Sequence, residues 1–292
     1  MSSRHPHVSF EFFPPKSDKG LESLQSAIAE LSAVMPMYHS ITYGAGGSTR
    51  DFSFAAIEAA SGTARHDAGT VPIAPHLTCV GQSRDDVFAT VDRFAALGVT
   101  HIVALRGDPP EGIDAAYTAH ADGFQSTAEL VAAIMTRGDF SVAVSAYPEK
   151  HPQSPSFDHD LDVLAAKVDA GAKRAMTQMF FDNDLFLSYR DRASARGIDI
   201  PIVPGIFPIH SFPAVARFAA KCGASMPASI AARFHGLDDD PEATFEVAAE
   251  VAAQQINDLA AEGIEHVHIY TLNKAPLALA VCERIGLRKA AS

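Results

Sequence analysis

Short runs rich in β-branched and aromatic residues alternate along this chain with longer stretches of helical period. Eight runs read as strands: HVSFEFF (7–13), YHSITYG (38–44), IAPHLTCV (73–80), HIVALRG (101–107), SVAVSAY (141–147), RAMTQMFF (174–181), IPIVPGIF (200–207) and HVHIYTL (266–272). Between them lie helical patterns. The segment 83–98 opens on a Ser-x-x-Asp start signature, lines up Val87, Val91, Phe94 and Ala95, and closes on Gly98. The segment 160–171 carries Leu161, Leu164 and Val168 on one face and ends at Gly171. The segment 211–223 starts at a Ser cap with Pro213 in its first turn, and 241–263 is a long Ala-rich helix with Pro241 at its start. Strands alternating with helices predict βαβ units and a parallel sheet. Eight such units in 292 residues fit an α/β fold of the (β/α)8 TIM-barrel type. The rival is an open, doubly wound sheet. A dinucleotide-binding version would carry G-x-G-x-x-G after an early strand, and TYGAGGS (42–48) lacks that spacing. No linker, low-complexity segment or internal repeat interrupts the pattern. The expectation is one barrel domain over 1–292, with about 1–6 and 288–292 frayed.

Composition narrows the class. Apolar residues make up 47% of the chain, enough for a large core, and the net charge is −12. An acidic surface argues against nucleic-acid and anionic-membrane partners, yet leaves room for a small basic pocket. The three cysteines, Cys79, Cys222 and Cys282, form neither a zinc spacing nor a disulfide framework. The first ten residues lack the apolar core of a signal peptide, and no apolar run approaches a membrane span. A cytoplasmic protein is expected.

In a barrel, chemistry gathers at the C-terminal ends of the strands. Those ends carry Glu11, Thr42 and Tyr43, His76, Arg106-Gly107-Asp108, Tyr147, Gln178, and Asn273 with Lys274. Each has a plain structural reading: an inward carboxylate, a hydrogen-bonded core histidine, a surface ion pair, a loop cap. HVH (266–268) puts two imidazoles on one strand face with no third ligand, so no metal site is expected. DDD (238–240) reads as a solvated turn. The first strand is unusual: Val8, Phe10 and Phe12 alternate with Ser9, Glu11 and Phe13, and Pro14-Pro15 stops the run.

VSFEFFPPK, SITYGAGGSTRD, APHLTC, HIVALRGDPP, AYPEKHP, KVDAGAKRAMTQMFFD, PIVPGIFPI and YTLNKA occur in this order. Together they resemble methylenetetrahydrofolate reductase of the short bacterial type, from about residue 7 to 288. The resemblance implies a (β/α)8 barrel that binds FAD non-covalently. It also implies reduction of 5,10-methylenetetrahydrofolate to 5-methyltetrahydrofolate by NADH or NADPH, in a ping-pong sequence that feeds methionine synthesis. A homodimer or homotetramer is implied as well. With the chain ending at the barrel, no C-terminal regulatory domain is expected.

The same resemblance assigns roles. Glu11 matches the general acid that protonates a folate nitrogen. Desolvation by the neighbouring phenylalanines would raise its pKa and keep it partly protonated. Asp108 matches an aspartate beside flavin and pterin whose charge helps hydride leave. Gln178 matches the pterin-binding amide, and Phe218 a ring that stacks on whichever ligand faces the flavin; by itself Phe218 reads as a helix core residue. Thr42, His76, Arg106, Gly107, Asp108, Tyr147, His151, Asp160 and Lys167 match FAD contacts, with Arg106 and Lys167 supplying charge for the pyrophosphate. Departures are visible. Ser126 and Thr127 stand where Tyr and Ala are usual, Val163 where Asn is common, Ala166 where Arg often sits. Weaker FAD retention than in relatives is expected. Lys274 replaces an Arg at a position matched to substrate, keeping charge but losing a two-pronged donor. Two other classes stay open: a flavin-free lyase or aldolase using Lys274 as a Schiff base, and a non-enzymatic folate-binding or partner-binding subunit. Glu11, Asp108 and Gln178 together speak against the latter.

Overall fold

The computed structural model describes residues 5–43, 47–66, 69–109 and 117–287, with 47–50 described in backbone only. Residues 44–46, 67–68 and 110–116 lie outside them, as do 1–4 and 288–292 at the ends that were expected to fray.

In chain order the elements are β1 (His7–Phe12), α1 (Asp18–Ser32), β2 (His39–Ile41), α2 (Gly47–Thr63), β3 (Arg65–His66), β4 (Gly69–Thr70), β5 (Ile73–Thr78), α3 (Arg84–Ala96), β6 (His101–Leu105), α4 (Thr127–Met135), β7 (Ser141–Ala146), α5 (Phe157–Asp169), β8 (Arg174–Met179), α6 (Asn183–Ala195), β9 (Ile202–Ile206), α7 (Phe212–Lys221), α8 (Ala228–Arg233), α9 (Pro241–Ala261), β10 (His266–Tyr270) and α10 (Ala275–Arg284). Eight strands close into a barrel in the order β1-β10-β9-β8-β7-β6-β5-β2, all pairs parallel. This is a (β/α)8 barrel. β3 and β4 form a small antiparallel pair outside it that the sequence did not announce.

Period-2 alternation decides which residues face the helices. Val8, Phe10 and Phe12 of β1 are buried outward, in the cluster that includes Leu24, Ile28 and Leu31 of α1. Those helix positions recur every three or four residues and make one apolar stripe. The inward residues form a different layer: Tyr38, Ala74, Val103, Ala143, Met176 and Val203 pack together inside the barrel.

Serines start several helices. Ser17, Ser83, Ser126 and Ser156 each accept the N–H of the third helical residue, 3.1–3.2 Å away, worth about 1 kcal/mol per cap. The cap expected at Ser211 makes no such bond; there Pro213 presets the first turn instead. Asp240, read as part of a solvated turn, caps α9 by accepting the N–H of Ala243 at 3.0 Å. Strand ends differ from the sequence reading where turn geometry intervenes. β10 stops at Tyr270 because Leu272 and Asn273 turn left-handed, with φ of 52° and 58°.

Candidate active site

The C-terminal mouth of the barrel holds a cavity of about 350 Å³ over Glu11, His76, Gln178 and Phe218. A second, of about 430 Å³, runs outward over Arg106, Asp108, Asp160 and Lys167. Leu105, Ser145, Tyr147, Gln178 and Phe218 line both, so the two form one continuous cleft.

Glu11 sits at the inner end. Its side chain is 19% exposed, and its Oε2 lies 3.4 Å from His76 Nε2 and 3.5 Å from His268 Nε2. Its backbone carbonyl accepts the Thr271 hydroxyl at 2.6 Å. Burial alone pushes the carboxyl up. Hydrogen bonds from His268 and His76, and the charge on both rings, outweigh that and bring it down to about 2. This corrects the expectation of a carboxylic acid held protonated by phenylalanines. Phe10 and Phe12 point to the helices because they alternate with Glu11, and Phe13 is 44% exposed beyond the strand. The groups that do touch the carboxylate are imidazoles from strands far away in sequence.

Asn273 fixes the chain that leaves β1. Its Oδ1 accepts the Phe13 N–H at 2.9 Å and its Nδ2 donates to the Phe13 carbonyl at 2.8 Å. Asn also tolerates the left-handed backbone that this turn requires. Asn273→Ala should lower stability by about 1–2 kcal/mol in urea unfolding, since both bonds and the conformational preference are lost. An unchanged midpoint would mean that the clamp carries no weight.

The outer cleft collects most of the residues matched to FAD contacts. Lys167 is buried and its Nζ donates to the Ser145 carbonyl at 3.0 Å. Burial, opposed by Asp160 and reinforced by Arg106, lowers it to about 8. Asp160 is buried too, accepts the His151 N–H at 3.4 Å, and is raised by that burial. Burial followed by the charges of Arg106 and Lys167 holds His151 down to about 4. Its ring meets the Tyr147 ring edge-on with centroids 4.6 Å apart. Arg106 donates to Gln153 at 2.7 Å. Gly107 turns the chain at φ 84°, where an added Cβ would run into Val80 and Thr78. Asp108 is exposed on the cleft wall, and Thr127 and Val163 face the same space.

Gln178 accepts the Met179 N–H at 2.9 Å through Oε1 and lines both parts of the cleft. Phe218 is 46% exposed and leans on Phe207 with ring centroids 5.8 Å apart. It is no helix core residue. α7 holds it over the mouth, where an apolar ring has nothing of its own to cover.

Three of the matched residues stand apart. Thr42 follows β2, donates its N–H to the Phe12 carbonyl at 2.9 Å, and is not among the lining of either cavity. Ser126 is an exposed helix cap, its oxygen committed to Glu129. Lys274 is exposed and lines an adjoining cavity of about 510 Å³ bordered by α1, α9 and α10, which meets the Glu11 cavity only along Tyr270, Thr271 and Leu272. His76, matched to the cofactor, belongs to the Glu11 cluster. Sequence reasoning missed Ser9, His268 and Thr271 as partners of that cluster. The signal was present in HVH and in the Ser9/Glu11 alternation, since both put polar groups on an inward face.

The family model described as methylenetetrahydrofolate reductase matches residues 1–286. The chain is 41% identical over 283 residues to a 5,10-methylenetetrahydrofolate reductase of Pectobacterium carotovorum subsp. carotovorum, and 39% over 282 residues to that of Escherichia coli (strain K12). Both alignments cover 97% of this chain and 91% of the relative. Methylenetetrahydrofolate reductase (NADH) 1 of Arabidopsis thaliana is 35% identical, with 96% of this chain covering 48% of that protein. Among solved structures, a Clostridium thermocellum protein described as binding two copies of 5-methyl-5,6,7,8-tetrahydrofolic acid superposes with a TM-score of 0.62. The two share 14% identity, over 97% of this chain and 96% of the other, a likeness of fold. With a family match over nearly its whole length and relatives near 40% identity, this chain belongs to the methylenetetrahydrofolate reductase family.

Proposed function

We propose that this chain reduces 5,10-methylenetetrahydrofolate to 5-methyltetrahydrofolate with FAD as cofactor and NADH or NADPH as donor. The observation that carries the reading is Glu11 at the inner end of the cleft, 3.4 and 3.5 Å from the imidazoles of His76 and His268, beside an arm that carries Arg106 and Lys167. The donor set fits FAD. Arg106 and Lys167 are cations for a pyrophosphate, Asp160 accepts from hydroxyls, and Leu105, Tyr147 and Phe218 offer apolar faces. When bound, FAD would carry hydride from nicotinamide to folate.

The chain's own residues would do the rest. Gln178 orients the pterin edge, which needs both donors and acceptors. Phe218 covers the ligand and excludes water, taking nicotinamide and folate in turn. Glu11 passes a proton to a folate nitrogen. Because its carboxyl is held low, the acid is the carboxylate–imidazole cluster as a unit, with the proton shared among Glu11, His76 and His268. Asp108 stands as a negative charge on the cleft wall. We further read the chain as one catalytic domain acting in the cytoplasm, as a homodimer or homotetramer, and feeding methionine synthesis. Among the described residues no helix is long and apolar enough to cross a membrane.

The test is the visible spectrum of oxygen-free protein with added FAD, followed through NADH and then methylenetetrahydrofolate. Bands that bleach and then return establish both half-reactions. Bleaching without return would assign another acceptor. Val163 is 40% exposed and offers the cofactor no hydrogen bond, and Ser126 is turned to its helix. FAD should therefore leave on extensive dialysis, to well below one per chain. A ratio that stays near one would overturn the expected weak retention.

A further inference from the structure

A polar file runs down the inside of the barrel from Glu11 to its opposite face. Glu11 Oε2 lies 3.5 Å from His268 Nε2; His268 Nδ1 lies 2.7 Å from Ser9 Oγ; Ser9 Oγ lies 2.9 Å from His266 Nε2. Ser9 and His268 are fully buried. His266 is half-buried at the N-terminal end of β10 and lines a cavity of about 560 Å³ together with the exposed His7, Met37 and Glu265. The neighbouring interior positions are Ala74, Val103, Ala143, Met176 and Val203, so apolar filling is available to this barrel. Two imidazoles and a hydroxyl in the same layer cost desolvation that apolar residues would avoid.

We propose that this file is a proton relay, by which Glu11 is reprotonated from the N-terminal face of the barrel while ligands close the C-terminal mouth. The proposal rests on the functional reading above, in which each turnover adds hydride and one proton to the folate. A proton from water binds His266 Nδ1, and His266 Nε2–H passes its proton to Ser9 Oγ. Ser9 gives its hydroxyl proton to His268 Nδ1, and His268 Nε2–H gives its proton to Glu11 Oε2. Glu11 then gives it to the folate nitrogen. One proton enters, one leaves, and no electrons move. The Ser9 hydroxyl is suited to the middle because it donates to one ring while accepting from the other. Before the next turnover the hydroxyl turns and the rings exchange tautomers.

The surroundings favour a relay over a store. Burial, then the charges of His268, Arg174 and His7, hold His266 down to about 3, so it rests neutral. Groups facing the file are Glu11 and His7 on β1, Tyr38 beside β2, Ser40 on β2 with its Oγ 3.3 Å from His268 Nε2, His76 on β5, His101 on β6, Arg174 on β8 and Tyr270 on β10, edge-on to His268 at 5.6 Å. Tyr38 stacks on His268 at 5.9 Å and is covered by Arg174 at 5.3 Å. Its hydroxyl donates to Met176 Sδ at 3.1 Å and also lies within hydrogen-bond reach of Ser9, as a side branch of the file.

Ser9→Ala and His266→Gln test the relay by stopped-flow. Each half-reaction is followed separately, in H₂O and in D₂O, with and without imidazole in the buffer. Expected in both variants are a folate half-reaction slowed about tenfold or more, an altered solvent isotope effect, and a near-normal NADH half-reaction. Imidazole should restore part of the rate in His266→Gln, which a packing role would not allow. If Ser9→Ala does not fold, His266→Gln at the half-buried end decides alone. Unchanged folate rates and isotope effects would overturn the relay while the reductase reading stands. A wild-type protein whose reduced flavin is never reoxidised by the folate would overturn both.

Discussion

Glu11→Gln is expected to slow reoxidation by methylenetetrahydrofolate roughly 10²–10⁴-fold, the range typical of a lost general acid. Glutamine keeps the shape and can still meet Thr271 through its backbone carbonyl, because that bond belongs to the main chain. It cannot release a proton to a folate nitrogen. Nor can it hold the paired imidazoles as a carboxylate does at 3.4 and 3.5 Å. Flavin reduction by NADH needs no proton from this position and should stay within a few-fold of wild type. Single-turnover absorbance of each half-reaction separates the two. A variant that reoxidises with the folate at the wild-type rate would remove Glu11 from the chemistry.

The second large effect concerns what holds Glu11 ionised. In the double variant His76→Leu/His268→Leu, both partners of a carboxylate only 19% exposed are gone. Leucine fills space and donates nothing. Stripping partners from a buried charge costs about 3–5 kcal/mol, to be read in urea unfolding at pH 7. The sign of the pH dependence also changes. In the wild type the folded carboxyl lies at about 2, below its ordinary 4.5. Glu11 therefore contributes stability above pH 4.5, and that contribution fades as the pH falls toward 2. In the double variant burial acts unopposed and raises the carboxyl above 4.5. Its charged form then destabilises the fold at neutral pH, and acidification through the new value relieves the penalty. Carboxyl ¹³C shifts of Glu11 follow this directly. A double variant whose Glu11 still titrates at or below 4.5 would show that the histidines are not what holds the carboxylate.

The reading of Glu11 illustrates where sequence reasoning stops. VSFEFF correctly alternated, and Pro14-Pro15 correctly ended the strand near the barrel mouth. The error lay in taking chain neighbours for spatial neighbours. Phe10 and Phe12 flank Glu11 in sequence, yet a strand sends them to the opposite face. His76 is 65 residues away from Glu11 and His268 is 257 away; both reach it because β1 has β10 and β2 as barrel neighbours, with β5 next. Phe218 shows the same limit from the other side. Helical period marks it as one position on α7, but only packing leaves it 46% exposed over the cleft. Ser126 sits at a motif position but its oxygen is spent on a helix cap, and Lys274 lines the neighbouring cavity.

What the sequence by itself determined was the architecture and the kinship. Eight strand periods interleaved with helical stripes dictate a parallel α/β sheet and fit a barrel, because burying each apolar face requires the next element in order. Eight motifs in register name the family. What only the tertiary structure decided was the electrostatic state of the site. Closure of the barrel brings Ser9, His266, His268 and His76 around or behind one carboxylate. Proton affinity depends on distance and burial in three dimensions, and no one-dimensional pattern records either.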